Sequence, residues 1–380
     1  MQILLTSPTY PPFNSGLGNA VAQQAVFLAA AGHHVVVATG GAARSSRDDL
    51  GVHIETFALQ GSDSWLQPIR GDVTGYIDYL KNNDWDVMLF NAWQNWATDI
   101  ALYYLSNLPG RKFVYSHCIS TNVFFRHQPF RSLLRYLAWR PYWWRLPGVM
   151  RRLDGLIFLA DCGCDSRFDD LQIAKRTAIP FHVVPNALSP AAALALARGA
   201  AQQGARDRLI AVGSYEWQKG FDFVLRADAA SAALNKIPLH FFGQEFSAYG
   251  EKLQQHAGRL GVDPAYLVLQ EGVTGERLQT EYRRAHLVLS GSHTECQPLV
   301  LLDASACATP FVARATGCIG GMPGGVVVRD WQEMARQIDA LCEDQPRWLA
   351  LSEAARSAAE TLYHPDIVGK QLAEVLGNVG

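Results

Sequence analysis

RLIAVGSYEWQKGFDF, residues 208–223, joins a short apolar run to an amphipathic segment through a polar loop. The apolar run predicts a buried strand, and the segment after Gly220 predicts a helix. A strand that leads through a loop into a helix is the first half of a βαβ unit, whose strands are parallel. The chain opens with the same pattern, since residues 2–7 precede a loop and a helical stretch that begins near residue 19. The sequence therefore predicts two α/β domains that begin alike.

Strand and helix patterns alternate along the rest of the chain, which predicts parallel sheets with helices on both faces. The predicted strands are 2–7, 34–39, 52–57, 86–91, 111–116, 155–160 and 181–184, then 208–214, 239–243, 267–272, 287–292, 311–315 and 326–328. The pattern restarts after an alanine-rich stretch. We therefore expect two doubly wound, Rossmann-like domains, residues 1–186 and 187–364. A last amphipathic helix, 365–380, is a candidate to complete the first domain.

The composition is that of a globular protein without a global electrostatic field. The 380 residues carry 33 Lys and Arg against 35 Asp and Glu, a formal net charge of −2, which argues against nucleic-acid binding. Seven scattered cysteines suit reduced thiols in a cytoplasm, and they show no zinc-site spacing. The sequence shows no signal-peptide pattern and no apolar run of the roughly 18–20 residues that would span a bilayer. We expect a cytoplasmic protein, soluble or peripheral to a membrane.

Residues 291–313, GSHTECQPLVLLDASACATPFVA, hold the first candidate site. Pro298 is suited to open a helix, whose free N–H groups favour an anion such as phosphate. Glu295 lies in the loop before that helix. Asp303 lies within its apolar sequence, where a carboxylate needs partners. Ribose hydroxyls would serve, and so would a neighbouring loop or an arginine.

Three other loops follow predicted strands, where ligands of doubly wound sheets bind. Lys219 ends the loop quoted first and can reach a phosphate, although its position alone favours a solvated surface lysine. Gly16 and Gly18 precede a helix, but the third glycine of a dinucleotide fingerprint is absent and the loop is too long, which excludes an NAD site. His117 lies just past a strand. Two facing sheets would place the ligand in the cleft between them.

The order of these motifs resembles the retaining family-4 glycosyltransferases of GT-B architecture. The resemblance covers nearly the whole chain and is strongest over residues 208–320. Its most specific element is a pair of acids separated by seven residues, with a lysine upstream. The motifs are SGLGNAV, SH after a strand, VVPNALS, VGSYEWQKGFDFVLRA and EGVTGERLQTEYRRAHLVLSGSHTECQPLVLLDASACATPFVA.

The resemblance implies roles for particular residues. Glu295 would hold hydroxyls of the donor sugar, and Asp303 would hold the ribose of the nucleotide. Lys219 would neutralise the diphosphate leaving group, and His117 would face the sugar near the reacting carbon. Asn186 corresponds to the asparagine of the interdomain PN motif. The further donor contacts implied are Gly16, Gly18, Gly213, Ser214, Val273 beside the base, Cys296, Gln297, Pro298 and Leu299.

Two residues depart from the family pattern. Ser214 stands where the family usually has an arginine, so one of two diphosphate-binding cations is missing. Asp303 replaces the usual glutamate and is one methylene shorter. The resemblance implies a hexosyltransferase that acts with retention at the anomeric carbon. It would use no metal and no cofactor besides the nucleotide-sugar co-substrate.

Residues 126–152, RHQPFRSLLRYLAWRPYWWRLPGVMRR, combine seven arginines with six aromatic rings and no carboxylate. A helix from Pro129 would place Phe130, Leu133, Leu134 and Leu137 within about a 100° arc. Basic and aromatic residues together suit an anionic membrane surface or a lipid-linked diphosphate. A buried amphipathic helix is the alternative. The candidate acceptor or membrane residues are Arg126, Arg131, Arg135, Trp139, Arg140, Trp143, Trp144 and Arg145.

These observations predict a peripheral glycosyltransferase on the cytoplasmic face of the inner (plasma) membrane. It would move a sugar from a nucleotide-diphosphate sugar to a lipid-linked saccharide or glycolipid in cell-surface polysaccharide assembly. A soluble glycosyltransferase with a small-molecule acceptor is the alternative. A catalytically degenerate binding protein is a further one, because of Ser214. The sequence does not specify the sugar, the base or the linkage.

Overall fold

The computed structural model describes residues 1–13, 15–125, 128–199, 206–232 and 237–377. Its contacts divide the chain into two compact units. The first comprises Met1–Asn186 and Val368–Gly380, and the second comprises Ala187–Ile367. The boundary at 186/187 coincides with the predicted one. The chain returns to the first unit at residue 368, three residues later than the predicted last helix begins.

The first unit is an eight-stranded sheet with helices and a small two-stranded ribbon. The strand order is β10-β9-β8-β7-β1-β2-β4-β3, and β5 pairs with β6 in the ribbon. The strands are β1 Gln2–Ser7, β2 His34–Gly40, β3 Ser45–Asp49, β4 Val52–Phe57, β5 Leu59–Gln60, β6 Arg70–Gly71, β7 Val87–Asn91, β8 Arg111–Ser116, β9 Gly155–Phe158 and β10 His182–Val183. Its first six helices are α1 Gly16–Ala30, α2 Val73–Lys81, α3 Trp96–Tyr103, α4 Pro129–Ala138, α5 Arg140–Met150 and α6 Asp169–Arg176.

The expectation of purely parallel sheets is wrong at one edge of the first sheet. Strand β3 pairs antiparallel with β4 and is exposed along its whole length. Its sequence, SSRDD, has no apolar residue to signal a strand. Charged residues on an edge strand discourage pairing with another chain. The central strands obey the buried pattern, since β1 and β7 are almost entirely buried.

The second unit has one six-stranded parallel sheet, in the order β13-β12-β11-β14-β15-β16. Numbered within the unit this order is 3-2-1-4-5-6, that of the Rossmann fold. The strands are β11 Arg208–Val212, β12 Leu239–Gly243, β13 Leu267–Glu271, β14 Ala285–Ser290, β15 Phe311–Arg314 and β16 Gly325–Val328. The helices are α7 Pro190–Ala197, α8 Phe221–Ala230, α9 Ala248–Arg259, α10 Gly275–Arg284, α11 Leu299–Ala306, α12 Trp331–Glu343 and α13 Gln345–Thr361.

Packing of the second unit follows from its strand order. Helix α8 packs against α9 and α12, while α7, α10, α11 and α13 pack among themselves; α12 and α13, consecutive in the chain, also touch. Right-handed crossovers place these two groups on opposite faces when the strand order reverses at the centre. The buried core joins β11, β12 and β14 to α8 and α12, with Tyr215, Phe221 and Phe241 among its largest side chains. The prediction of a doubly wound domain is confirmed.

The last described helix, α14 Pro365–Gly377, packs almost wholly within the first unit. Val368, Leu372 and Leu376 are buried. A Cβ added at Gly369 would lie 3.0 Å from the ring of Phe27 on α1, so this glycine allows the two helices to approach closely. The candidate role of the last helix in completing the first domain therefore has a packing basis.

Candidate active site

The strand order of the second sheet reverses between β11 and β14, which are neighbours. Ligands of such sheets bind beyond the carboxyl ends of the strands at this reversal. The chain leaves β11 through residues 213–220 and leaves β14 through residues 291–298. The quoted loop and the acidic loop therefore meet at one edge.

Two glycines bring these loops into contact. Gly220 has φ +60°, and a Cβ added there would lie 2.0 Å from the carbonyl oxygen of Gly291. A Cβ at Gly291 would in turn lie 2.3 Å from the carbonyl oxygen of Gly220. Neither position can hold a side chain without moving backbone. The absence of a Cβ at this crossing is what brings Lys219 next to the loop after β14.

Lys219 and Glu295 form an ion pair. Lys219 Nζ donates to Glu295 Oε1 at 2.8 Å, and Ser292 Oγ donates to the same oxygen at 2.8 Å. Both charged side chains are partly buried, so solvent screens this pair less than a surface pair. The predicted proximity of the lysine and the first acid is thus present in the fold. Ser292 was not singled out by the sequence, because a serine in a polar loop carries no distinctive signal.

Arg314 and His293 were also missed. Arg314 ends β15, and its Nη1 lies 2.7 Å from Nδ1 of His293, the residue after Ser292. Because a guanidinium can only donate, His293 accepts through Nδ1 and carries its proton on Nε2. The ring of His293 contacts that of Trp217 at 5.3 Å. Arg314 thus supplies a cation to this edge, where Ser214 supplies none.

The helix that follows Glu295 begins with the predicted geometry. Pro298 precedes α11, and no side chain among the described residues caps this helix start. Gln297 and Pro298 are buried, Leu299 is partly buried, and Cys296 accepts a backbone hydrogen bond from Cys318 N at 3.0 Å. The first N–H groups of α11 therefore lie in the loop that carries Glu295, where they favour an anion.

The Asp303 carboxylate is hydrogen-bonded to another residue of the protein. Its Oδ1 accepts from Ser189 N at 3.0 Å and its Oδ2 from Ser189 Oγ at 2.7 Å. Burial raises the pKa of Asp303 to about 6. The predicted ribose contact would have to share this carboxylate with Ser189, which caps α7. Of the readings that the sequence left open, the bond to a neighbouring loop is the one present.

The remaining donor candidates of the second unit lie at the same sheet edge. Gly213 packs under the lysine, since a Cβ there would lie 3.1 Å from Lys219 Cγ. Ser214 is partly buried, and its carbonyl accepts from Glu216 N at 2.7 Å. Val273 follows β13, the outer strand beyond β12. Its contact with a base stays a prediction.

In the first unit, the segment with Gly16 and Gly18 is hydrogen-bonded within the protein. Gly16 begins α1, and a Cβ there would meet no protein atom within 4 Å. Gly18 N donates to Ser15 Oγ at 2.9 Å, which caps the helix. The Gly18 amide is therefore used as a helix cap in this structure, and the donor contact of Gly16 and Gly18 stays a prediction.

His117 follows β8, the neighbour of β7 in the first sheet. Its Nε2 lies 3.2 Å from Oδ1 of Asn91, the last residue of β7, and its ring stacks on Tyr115 at 4.8 Å. Since a carboxamide oxygen only accepts, His117 donates through Nε2. Burial lowers the pKa of His117 to about 4. His117 is therefore neutral at physiological pH and acts as a hydrogen-bonding group rather than a cation.

A buried carboxyl fixes the loops around His117. Asp170 Oδ2 accepts from Trp93 Nε1 at 2.9 Å and from Ser116 Oγ. Trp93 follows β7 and Ser116 ends β8, so one carboxyl ties both strand ends to α6. Burial raises the pKa of Asp170 to about 6. Asn186 is buried at the end of this unit, and Tyr115 Oη donates to the carbonyl of Val184 just before it.

Residues 206–344 match the sequence family described as glycosyl transferases group 1. The match lies within the second unit and covers less than half of the chain. No curated protein matches the chain by sequence.

Solved structures share the fold of this chain over nearly its whole length. Sucrose-phosphate synthase from Thermosynechococcus elongatus has 17% identity and a TM-score of 0.74, with 98% of each chain covered. Anabaena Alr3699/HepE, solved with UDP and glucose, has 16% identity and a TM-score of 0.67, with 99% of each covered. The α,α-trehalose 6-phosphate synthase from Burkholderia multivorans has 14% identity and a TM-score of 0.67, with 100% of this chain and 98% of that one covered. The two Rossmann-like domains are those of the GT-B fold.

The arginine-rich stretch of the first unit forms α4 and α5. Helix α4 turns its apolar residues outward: Phe130 is 86% exposed, and Leu133, Leu134 and Leu137 are about half exposed. Ser132 and Ala138 form its buried side instead. The alternative of a buried amphipathic helix is therefore wrong for α4.

Several side chains assigned to the acceptor or membrane are turned toward the protein. Trp139 and Trp143 are buried, so their assignment to a membrane surface is wrong. Arg135 donates to the carbonyl of Val123 and stacks on the ring of Phe125. These residues anchor α4 and α5.

The other arginines of the stretch differ in their surroundings. Arg140 Nη2 donates to Asn122 Oδ1 at 2.8 Å, and its guanidinium lies 4.0 Å from the ring centre of Tyr136. Arg131 is exposed beside the apolar face. Arg145 pairs with Asp63, while Trp144 is exposed. Arg126 lies outside the described residues.

Within the described ranges, no three His, Cys, Asp or Glu side chains come together as metal ligands. No helix in those ranges is both long and apolar enough to cross a bilayer.

Proposed function

We propose that this transferase moves a sugar from a nucleoside-diphosphate sugar to an acceptor with retention at the anomeric carbon and without a metal ion. The observation that carries the proposal is the Lys219–Glu295 pair beside the start of α11. A uridine nucleotide is the first candidate for the donor, because the similar HepE structure was solved with UDP.

The site residues divide the chemistry between them. As the bond to the diphosphate weakens, negative charge builds on the leaving oxygen. Lys219, Arg314 and the N–H groups at the start of α11 stabilise that charge. Arg314 and the helix start are held in place before the reaction, whereas Lys219 exchanges Glu295 for the phosphate. Glu295 holds hydroxyls of the donor sugar once Lys219 turns to the phosphate. The resemblance assigns His117 to the sugar near the reacting carbon; its ring is neutral and is oriented by the Nε2–H that it donates to Asn91.

Thermal unfolding with free nucleotides tests the donor site. UDP, GDP, ADP and dTDP are each added to the wild type, to Lys219→Ala and to Lys370→Ala, an exposed lysine on α14. A ligand at about a hundred times its Kd stabilises a protein by about 2.7 kcal/mol. We expect one nucleotide to stabilise the wild type and Lys370→Ala but not Lys219→Ala. Transfer by Lys219→Ala should fall about 10²–10³-fold in kcat. Absence of any shift in the wild type would favour the degenerate binding protein.

For the acceptor, we propose a lipid-linked saccharide at the cytoplasmic face of the inner (plasma) membrane, as in cell-surface polysaccharide assembly. Helix α4 supports this, since a soluble surface rarely exposes four large apolar side chains on one helix. An amphipathic helix with such a face lies in the membrane interface, and a nearby arginine adds about 1 kcal/mol on anionic lipid. Arg131 is the exposed cation next to that face.

Vesicle flotation tests the membrane proposal. The wild type should float with vesicles of phosphatidylglycerol and phosphatidylethanolamine, and Leu133→Ser/Leu137→Ser should stay in the aqueous fraction. Leu349→Ser is the matched control, because Leu349 is equally exposed on α13 of the second unit. Equal flotation of wild type and double variant would contradict the proposal.

A small-molecule acceptor is the second candidate. The similar structures support it, because they include sucrose-phosphate synthase and trehalose 6-phosphate synthase. This candidate predicts full transfer to a soluble sugar phosphate in detergent-free buffer, unchanged in Leu133→Ser/Leu137→Ser. The lipid-linked candidate predicts that the double variant loses transfer to vesicle-borne acceptor while it keeps nucleotide binding.

A further inference from the structure

The first domain contains a cavity of about 470 Å³ between α3 and α5. Its volume lies within the range of about 300–1,000 Å³ that is usual for small-molecule sites. Leu102, Leu146 and Val149 form apolar walls. The cavity is lined only by residues of the first unit, so it is separate from the Lys219–Glu295 pair.

A buried carboxyl forms the polar end of this cavity. Asp99 is 1% exposed. Its Oδ2 accepts from the backbone N of Asp63 at 2.9 Å, and its Oδ1 accepts from Tyr142 Oη at 3.1 Å. Burial raises the pKa of Asp99 to about 7. The backbone of Gln94 also contributes a hydrogen bond to this carboxyl.

A charged cluster lies beside Asp99 and is internally neutralised. Arg145 Nη2 lies 2.6 Å from Asp63 Oδ2, and Tyr103 Oη donates to the same oxygen at 2.8 Å. Arg145 Nη1 also donates to Tyr103 Oη at 2.7 Å. The charge of Arg145 is thus matched by that of Asp63, while Arg152 also lines the cavity and donates to Ser106 Oγ at 2.9 Å. Groups that both donate and accept, such as sugar hydroxyls, fit the mixed set.

Exposed tryptophans stand at two cavities that share this cluster. Trp144 lines the first cavity and is 75% exposed. A second cavity of about 390 Å³ is lined by Trp65, which is 65% exposed, and by Asp63 and Arg145. A flat ring beside hydrogen-bonding carboxyls matches a pyranose, which has apolar C–H faces and a polar rim. Two such positions on either side of one cluster suit two linked rings.

We infer that these cavities bind a neutral saccharide, with one ring against Trp144 and hydrogen-bonded to Asp63, Asp99 and Arg145. The saccharide binds without the nucleotide sugar. Its identification with the glycan portion of the acceptor rests on the proposed function.

A short path of contacts connects the cavity to His117. Tyr142 Oη lies 3.4 Å from the backbone N of Gln94, in the loop after β7. Asn91, at the start of that loop, contacts His117 Nε2. The saccharide is thus held one loop away from the histidine, which makes the cavity a positioning site for acceptor units beyond the reacting one.

Saturation-transfer NMR tests the inference with a panel of neutral disaccharides built from glucose, galactose, mannose and N-acetylglucosamine. We expect at least one to bind the wild type, and to bind about tenfold more weakly to Trp144→Ala and to Asp63→Asn. Trp144→Phe should keep most of the affinity, because the ring face remains. Tyr266→Ala, which removes an exposed ring from the second unit, should bind as the wild type does.

Three results would overturn the inference: no panel member binds, binding survives Trp144→Ala unchanged, or inorganic phosphate competes for the site. Nucleotide-induced stabilisation is measured on the same samples and separates this inference from the proposed function. Saccharide binding that depends on Trp144, with no nucleotide shift, would leave the cavity assigned and reject the glycosyltransferase. A UDP shift without saccharide binding would do the reverse.

Discussion

The carboxyl edges of the two sheets have the same strand reversal but opposite electrostatics. In the second sheet, the reversal carries an ion pair of Lys219 with Glu295 and a further cation, Arg314. In the first sheet, the same edge carries buried groups whose pKa values are shifted toward the uncharged form, since the pKa of His117 falls to about 4 and that of Asp170 rises to about 6. One edge is suited to a charged diphosphate, and the other to uncharged hydroxyls.

The electrostatic difference arises from how the loops pack at each sheet edge. In the second sheet, Gly220 and Gly291 let the loops touch, and the charged side chains remain partly exposed. In the first sheet, Asp170 ties Trp93 and Ser116 beneath the surface, so desolvation decides the protonation state. The common topology therefore determines where ligands bind. The packing of the loops determines whether that place favours a charged or an uncharged ligand.

The largest expected effect comes from adding a side chain at the place where the loops of Gly220 and Gly291 touch. Gly220→Ala places a Cβ 2.0 Å from the Gly291 carbonyl oxygen at φ +60°. We expect a loss of about 3 kcal/mol in the free energy of unfolding, measured by urea denaturation, together with loss of nucleotide binding. Gly258→Ala is the control, because that helical glycine has no atom within 4 Å of an added Cβ. It should be stabilising by about 0.5–1 kcal/mol. Equal stability of the two variants would refute this account of the crossing.

A smaller effect, on the pH dependence of stability, is expected at the carboxyl edge of the first sheet. Asp170 has a folded-state pKa of about 6, against 3.8 for an ordinary aspartate. Between these values the folded state holds a proton that the unfolded state has lost. The contribution of Asp170 to stability is therefore fully present below pH 3.8 and is lost as the pH rises through 6, by at most about 1.4 kcal/mol per pH unit. Asp170→Asn should flatten that part of the stability curve, and Asp48→Asn, an exposed control, should not. Parallel curves for all three proteins would argue against a protonated Asp170.

The smallest expected effect is on nucleotide binding, and it separates the contribution of Arg314 from that of Lys219. Arg314→Ala removes the donor to His293 Nδ1 and one positive charge. We expect about tenfold weaker binding of the nucleoside diphosphate, measured by titration calorimetry, because one charge-assisted contact is lost. Arg314→Lys should recover part of the affinity. Unchanged binding in Arg314→Ala would leave Lys219 as the one cation that compensates for Ser214.

Periodicity was sufficient to predict most of the fold. All the strands predicted from apolar runs are present, and the boundary after Asn186 coincides with the division of the chain. The resemblance, rather than periodicity, assigned Lys219 and Glu295 to one donor site, and the strand order of the second sheet explains why their loops meet. Strand β3 was missed, since its polar residues pack nothing.

Side-chain direction could not be predicted in the same way. Composition groups Trp139, Trp143 and Trp144 together, but only Trp144 is exposed. The bond between Asp303 and Ser189 joins residues 114 positions apart, and that between Arg145 and Asp63 spans 82 positions. No local pattern encodes such contacts, because they depend on how complete elements pack.

Helix α14 has a consequence for synthesis on the ribosome. The first domain is assembled from residues 1–186 and from a helix that is translated only after the whole second domain. At about 5–20 residues per second, the intervening segment takes roughly 10–40 s to synthesise. During that interval the surface around Phe27 is uncovered, since the helix that packs against it does not yet exist. The nascent chain must stay soluble with an unfinished first domain, and the second domain is the first that can fold completely.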